Sequence, residues 1–144
     1  MDSLQKLFAG MRISASGLKA ERARMDIIAQ NIANAQTTAV PGTGEPYRRQ
    51  VVTFASVFHR LAGGGFEPGG VEVAGIYGDY EAAFEEVYDP THPDANERGI
   101  VRMPNVNTMK EMADLITAVR AYEANMSVQE SFERMAERAL RLLE

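Results

Sequence analysis

Apolar positions in this chain recur with a seven-residue rhythm at both ends and lose it in between. Leu4, Met11, Leu18, Met25 and Ile32 repeat every seven residues, and Leu7, Phe8, Ala15, Ile28 and Ala29 widen the same face. This pattern predicts an amphipathic helix over residues 3–34. Asp2 or Ser3 can N-cap it, and Val40-Pro41-Gly42 lies beyond its end as a breaker. Near the other terminus Met112, Leu115, Val119, Tyr122 and Met126 follow 3–4 spacing, continued by Ala136, Leu140 and Leu143. Val128, Phe132, Met135, Ala139 and Leu142 run beside them. A second helix is predicted over 107–143, opened by a capping box with Thr108 as N-cap and Glu111 at N3. One partner helix covers about 100° of surface. The wider apolar arc of this helix predicts a second contact, inside the subunit or from a neighbour.

The middle of the chain reads differently. It holds all six Pro and ten of the twelve Gly. Short strand-like runs occur at Tyr47–Phe54, Gly70–Ile76, Ala83–Tyr88 and Ile100–Met103, with poor alternation. Gly63-Gly64-Gly65 and Pro68-Gly69-Gly70 bracket an expected loop or hairpin tip. The predicted fold is therefore mainly α. Long N- and C-terminal helices pair as a coiled coil, with a small irregular β-containing insert between them. The expected division is 1–38 and 105–144 for the terminal helices and 39–104 for the insert.

Gly10 and Gly17 interrupt the first helix seven residues apart. They mark a close helix approach, a bend, or tolerated surface positions. Asn31 and Asn34 sit in its last turn, and Asn125 lies mid-helix beside Tyr122 and Glu123. A buried Asn fixes register in helical assemblies; the other reading is an exposed helix position. A long helix without its partner is marginally stable. The termini are therefore expected to be partly disordered in the free monomer and to order on assembly.

Charge adds a bias. The net charge is −5, with +2 over residues 1–38, −5 over 39–104 and −2 over 105–144. The acidic total argues against a nucleic-acid partner, and the terminal helices carry opposite balances. There is no Cys, so disulfide and thiolate chemistry are excluded. No apolar run reaches the roughly 18 residues of a membrane span, and the N-terminus lacks the apolar core of a cleaved signal peptide.

Candidate chemistry is sparse. Asp89-Pro90-Thr91-His92-Pro93-Asp94 sets a His between carboxylates, but Asp and Pro here read as a turn. Glu81, Glu85 and Glu86 read as a solvated face. No phosphate-binding loop or nucleophile elbow is present. No catalytic residue, metal ligand or cofactor is expected.

Three sequence blocks carry a family resemblance over essentially the whole chain. Ser16-Gly17-Leu18-Lys19-Ala20 with Asn31-Ile32-Ala33-Asn34-Ala35-Gln36-Thr37-Thr38 resembles the N-terminal motif of bacterial flagellar rod and hook proteins. Arg120-Ala121-Tyr122-Glu123-Ala124-Asn125 resembles their C-terminal motif. Tyr88-Asp89-Pro90-Thr91-His92-Pro93-Asp94, Gly99-Ile100-Val101 and Pro104-Asn105-Val106-Asn107 resemble the short proximal-rod members. The chain departs from the wider family after Thr37, where Thr38-Ala39-Val40-Pro41-Gly42 replaces T-x-G-F/Y.

The resemblance implies a structural subunit of the proximal rod. Its terminal helices would form the core tube around the export channel, and its insert would sit outward. Implied partners are other copies of the chain, other proximal rod subunits, the rod–ring adaptor, the distal rod and the flagellar type III export apparatus. Implied location is the periplasmic rod, reached without signal cleavage. The expected interface residues are Leu4, Met11, Leu18, Met25, Ile28, Asn31, Ile32, Asn34, Met112, Leu115, Val119, Tyr122, Glu123, Asn125, Met126, Phe132 and Leu140. The rival readings are a coiled-coil adaptor or chaperone, which should stop at a small oligomer, and another proximal rod subunit.

Overall fold

The computed structural model describes residues 2–60 and 64–141, with side chains from residue 8 onward except that of Leu140. The expectations for the side chains of Leu4, Leu7 and Leu140, and for Leu142 and Leu143, lie outside the described residues. Two helices, α1 (Asp2–Ala33) and α2 (Thr108–Arg141), enclose four strands in the sequence. The strands are β1 (Gln50–Arg60), β2 (Phe66–Gly78), β3 (Glu85–Tyr88) and β4 (Ile100–Met103).

The expected helix-dominated coiled coil is corrected by this arrangement. The helices take 32 and 34 residues, and strands of 11, 13, 4 and 4 residues form two small antiparallel two-stranded sheets. The insert is thus built of regular strands, and the chain as a whole is α+β. Its strands were hard to read because apolar residues stay on their outer face: Phe54 and Phe58 are exposed on β1, which blurs the alternation. Pro68-Gly69-Gly70, expected to bound a loop or hairpin tip, lies within β2.

The chain forms two compact units, and α1, β1, β2 and α2 contribute to both. The first is built from the stretch up to Met25, Thr53–Gly75 and the stretch from Thr117. Here β2 is docked on α1 through Ser16. Its hydroxyl donates to the Ile13 carbonyl (2.6 Å) and accepts the Val71 N–H (3.0 Å). Gly70 makes this approach possible. Its φ is 109°, and a Cβ there would collide with the Ser16 hydroxyl.

The second unit comprises Asp26–Val52 and Ile76–Ile116. Its core holds Ile27, Ile28, Val101 and the side chains of Asn31 and Glu111. β3 and β4 pair antiparallel, with Val87 opposite Val101 and Glu86 opposite Arg102. Between them, residues 89–94 fold as turns, as the sequence predicts. The Asp89 carboxylate accepts the Thr91 hydroxyl (2.7 Å) and N–H (3.0 Å). Those two bonds hold its pKa below the usual carboxylate value.

The start of α2 departs from the predicted capping box. Asn107 is the cap: its side chain accepts the Lys110 N–H (3.0 Å) and its carbonyl accepts the Glu111 N–H (2.9 Å). Glu111 is thereby released from capping and turns inward.

Candidate functional site

In the first unit the two helices meet through small and polar residues. Gly10 lies against the Phe132 ring, where an added Cβ would stand 2.7 Å from Cζ. Gly17 lies against the Asn125 amide, with a corresponding distance of 3.2 Å. Buried Ser14 donates to the Asn125 carbonyl (3.0 Å). Moving up α1 from Gly10 to Gly17 moves down α2 from Phe132 to Asn125, so the helices run antiparallel here. Of the sequence alternatives for the two glycines, close approach is the one realised.

In the second unit the ends of the helices meet in a closed polar cluster. Asn31 is 1% exposed and Glu111 fully buried. The Asn31 amide donates to Glu111 Oε2 (3.0 Å) and the Gln50 carbonyl (2.9 Å). Its carbonyl oxygen accepts the Tyr47 hydroxyl (3.0 Å) and the Gln50 N–H (2.9 Å). All four bonds an Asn side chain can make are therefore satisfied. Arg49 Nε donates to Glu111 Oε1 (2.7 Å), and its Nη1 lies 3.6 Å from Asp79. Asn105 closes the ring. It accepts the Arg49 N–H (2.8 Å) and donates to the Asp79 (3.0 Å) and Ala82 (3.1 Å) carbonyls.

The chemistry of this cluster is cohesive rather than reactive. Its carboxylate is occupied by a guanidinium and an amide, which is what makes a buried charge tolerable. Burial, together with the negative charge of Glu111, raises the Tyr47 pKa above its ordinary value. Among the described residues no three His, Asp or Glu are grouped to hold a metal ion.

Of the predicted interface residues, Asn31 and Ile28 are buried, and Asn125 and Phe132 are half-buried in the helix seam. Asn34 caps the end of α1, donating to the Gln30 carbonyl (2.9 Å). Leu115 and Tyr122 are half-buried and Glu123 is exposed. Met11, Leu18, Met25 and Ile32 are only half-buried, while Met112, Val119 and Met126 are exposed.

These last two groups are related. On α1, Met11 and Leu18 follow the seam residues Gly10 and Gly17 by one position, and Ile32 follows Asn31. On α2, Met126 follows Asn125 and Met112 follows Glu111. One position is about 100° of rotation. For antiparallel helices that rotation turns both rows to the same side of the seam. Each unit thus carries a strip of incompletely covered Met, Leu, Ile and Val beside its helix contact. Met109 and Ile116 extend it on α2, at 77% and 55% exposure. Sequence reasoning missed Glu111, Arg49 and Tyr47. The available signal was the row Glu111, Ala118, Asn125, Phe132, spaced by seven, facing Gly10, Gly17 and, two heptads on, Asn31.

Residues 11–39 match the family described as flagella basal body rod protein. Residues 97–142 match the flagellar basal body rod FlgEFG protein C-terminal family. The flagellar basal-body rod protein FlgC of Bacillus subtilis is 40% identical over 146 residues, covering 94% of this chain and 97% of that protein. FlgC of Borreliella burgdorferi is 41% identical over 151 residues, covering 96% and 98%. FlgC of Escherichia coli O157:H7 is 37% identical over 130 residues, covering 90% and 92%. Spread over nearly the full length of each relative, these identities mean that the chain belongs to the FlgC family of flagellar basal-body rod proteins.

Proposed function

We propose that this chain is a structural subunit of the proximal rod of the flagellar basal body, without catalytic activity. It polymerises helically through its terminal helices into the shaft that transmits torque and encloses the export channel. The observation that carries this reading is the apolar strip beside the helix seam. A large exposed apolar surface on a folded chain marks an interaction site. Here it is borne by helices whose own contact uses Gly, Ser, Asn and Glu. Packed helices suit a driveshaft because close-packed interiors resist compression.

The residues proposed for subunit contacts are those of the strip and its neighbours, from Met11, Leu18, Met25 and Ile32 to Met112, Val119, Glu123 and Met126. Leu4 and Leu140 are included on sequence spacing. The proposed division of labour assigns 1–38 and 105–144 to the tube and 39–104 to its outer side. The proposed partners are further copies, other proximal rod subunits, the rod–ring adaptor and the distal rod. Delivery is by the flagellar type III apparatus into the periplasm, without signal cleavage.

The test is electron microscopy of basal bodies from a strain lacking the gene. Inner-membrane rings without rod, hook or filament are the expected result. Intact rods would reject the role.

A further inference from the structure

The first unit also holds an open groove of about 470 Å³ between α1 and the β1–β2 hairpin. Its floor is apolar, with Ala15 from the helix and Val57 and Val71 from the strands. Its helix wall carries Arg12 and Lys19, seven residues apart and both exposed; Glu72 stands on the strand wall. Among the described residues neither Arg12 nor Lys19 forms an ion pair. They are two cations beside an apolar trough, set roughly 10.5 Å apart along the axis.

The complementary pattern lies on the same chain. Glu123, Glu130 and Glu137 are exposed on α2 at the same seven-residue interval, flanked by the exposed Met126. Among the described residues Glu130 is engaged only by Arg134 at 3.7 Å, an exposed pair one turn away. Such pairs contribute little and exchange readily. The acidic row is thus available to a partner with matching spacing, with Met126 beside it to enter an apolar trough. We infer that the groove between α1 and the hairpin of one copy receives the Glu123–Glu130–Glu137 face of α2 from a second copy of this chain.

This inference rests on the rod-subunit reading and adds a direction to it. Groove and acidic row are different surfaces of one molecule, so the contact is head-to-tail. Repetition of such a contact continues along an assembly where a self-complementary patch would stop at a dimer. Glu72 on the strand wall would face the arginines next to the acidic row, Arg120 and Arg134, and so fix which way the incoming helix lies.

Charge exchange tests it on the full-length protein. The variants are Arg12→Glu with Lys19→Glu, Glu123→Lys with Glu130→Lys, and all four together. Self-association is followed by analytical ultracentrifugation at low and high salt, with circular dichroism as the fold control. Each double variant should associate roughly tenfold more weakly or worse at low salt. The quadruple variant, and an equimolar mixture of the two doubles, should recover association. Should a reversal disturb folding, Arg12→Ala with Lys19→Ala gives the same ordering with a smaller loss. Unchanged association in the double variants overturns the inference. So does a loss that the quadruple variant fails to restore, which would assign the groove to a different rod protein. Rods that still form in an Arg12→Glu, Lys19→Glu strain would defeat the docking while leaving the rod role intact. Only rods that survive deletion of the gene defeat the role itself.

Discussion

Glu111 shows how one residue changes meaning between sequence and structure. Three positions after a threonine at a helix start, it reads as a capping partner. In the folded chain Asn107 caps, and Glu111 ties the beginning of α2 to Asn31 and Arg49. Removing one member of a buried, hydrogen-bonded pair strands the other's charge. Glu111→Ala should therefore destabilise the chain by about 3 kcal/mol in urea unfolding. Thr108→Ala should leave stability nearly unchanged. Tyr47 gives a pH signature. Its pKa is raised in the folded state, so the folded chain holds that proton more tightly than the unfolded one. The linked stability is complete below the unfolded pKa near 10 and declines as pH rises through the folded value. Tyr47→Phe should abolish that alkaline decline, as followed by denaturation at pH 8 to 11.

Among the elements, both helices were legible from apolar periodicity, and their observed limits fall within a few residues of the predicted ones. Which face they turn to each other was not. The apolar heptad Met11, Leu18, Met25 dominates the pattern, yet the seam runs one position away through Gly10, Ser14 and Gly17. Periodicity measures where hydrophobicity lies, whereas close helix approach depends on small side chains and on the partner's shape. Gly10→Ala illustrates the competition. It gains about 1 kcal/mol of helix propensity but presses a methyl group onto the Phe132 ring, which costs about 1–3 kcal/mol. Net destabilisation is expected, and adding Phe132→Leu should reverse it. The hairpin was only half legible, because its docking depends on Ser16 and Gly70, distant in sequence. Ser16→Ala removes the acceptor of the Val71 amide, so hydrogen exchange at that amide should accelerate. An unchanged rate would place the hairpin's attachment elsewhere.

The whole molecule keeps its cohesive chemistry and its apolar strip apart. Polar clusters and glycine contacts join the helices, and the strip beside them stays incompletely covered, which is the surface proposed above for subunit contacts. Ile28→Asp, which buries a charge within the second unit, and Leu115→Asp, on α2, should both abolish swimming and rod assembly. Normal motility in the Leu115→Asp variant would contradict the proposed interface, and in the Ile28→Asp variant it would contradict the placement of Ile28 in the core. The composition of that strip has a chemical consequence. Met109, Met112 and Met126 offer exposed thioethers, and Met11 and Met25 lie half-open beside them, while Gly10, Ser14, Gly17, Asn31, Glu111 and Asn125 contain no sulfur. Mild peroxide would convert the open thioethers to polar sulfoxides without touching the groups that hold the chain together. An oxidised subunit would keep its shape yet lose its adhesion, and a methionine sulfoxide reductase could return it to the pool of building blocks.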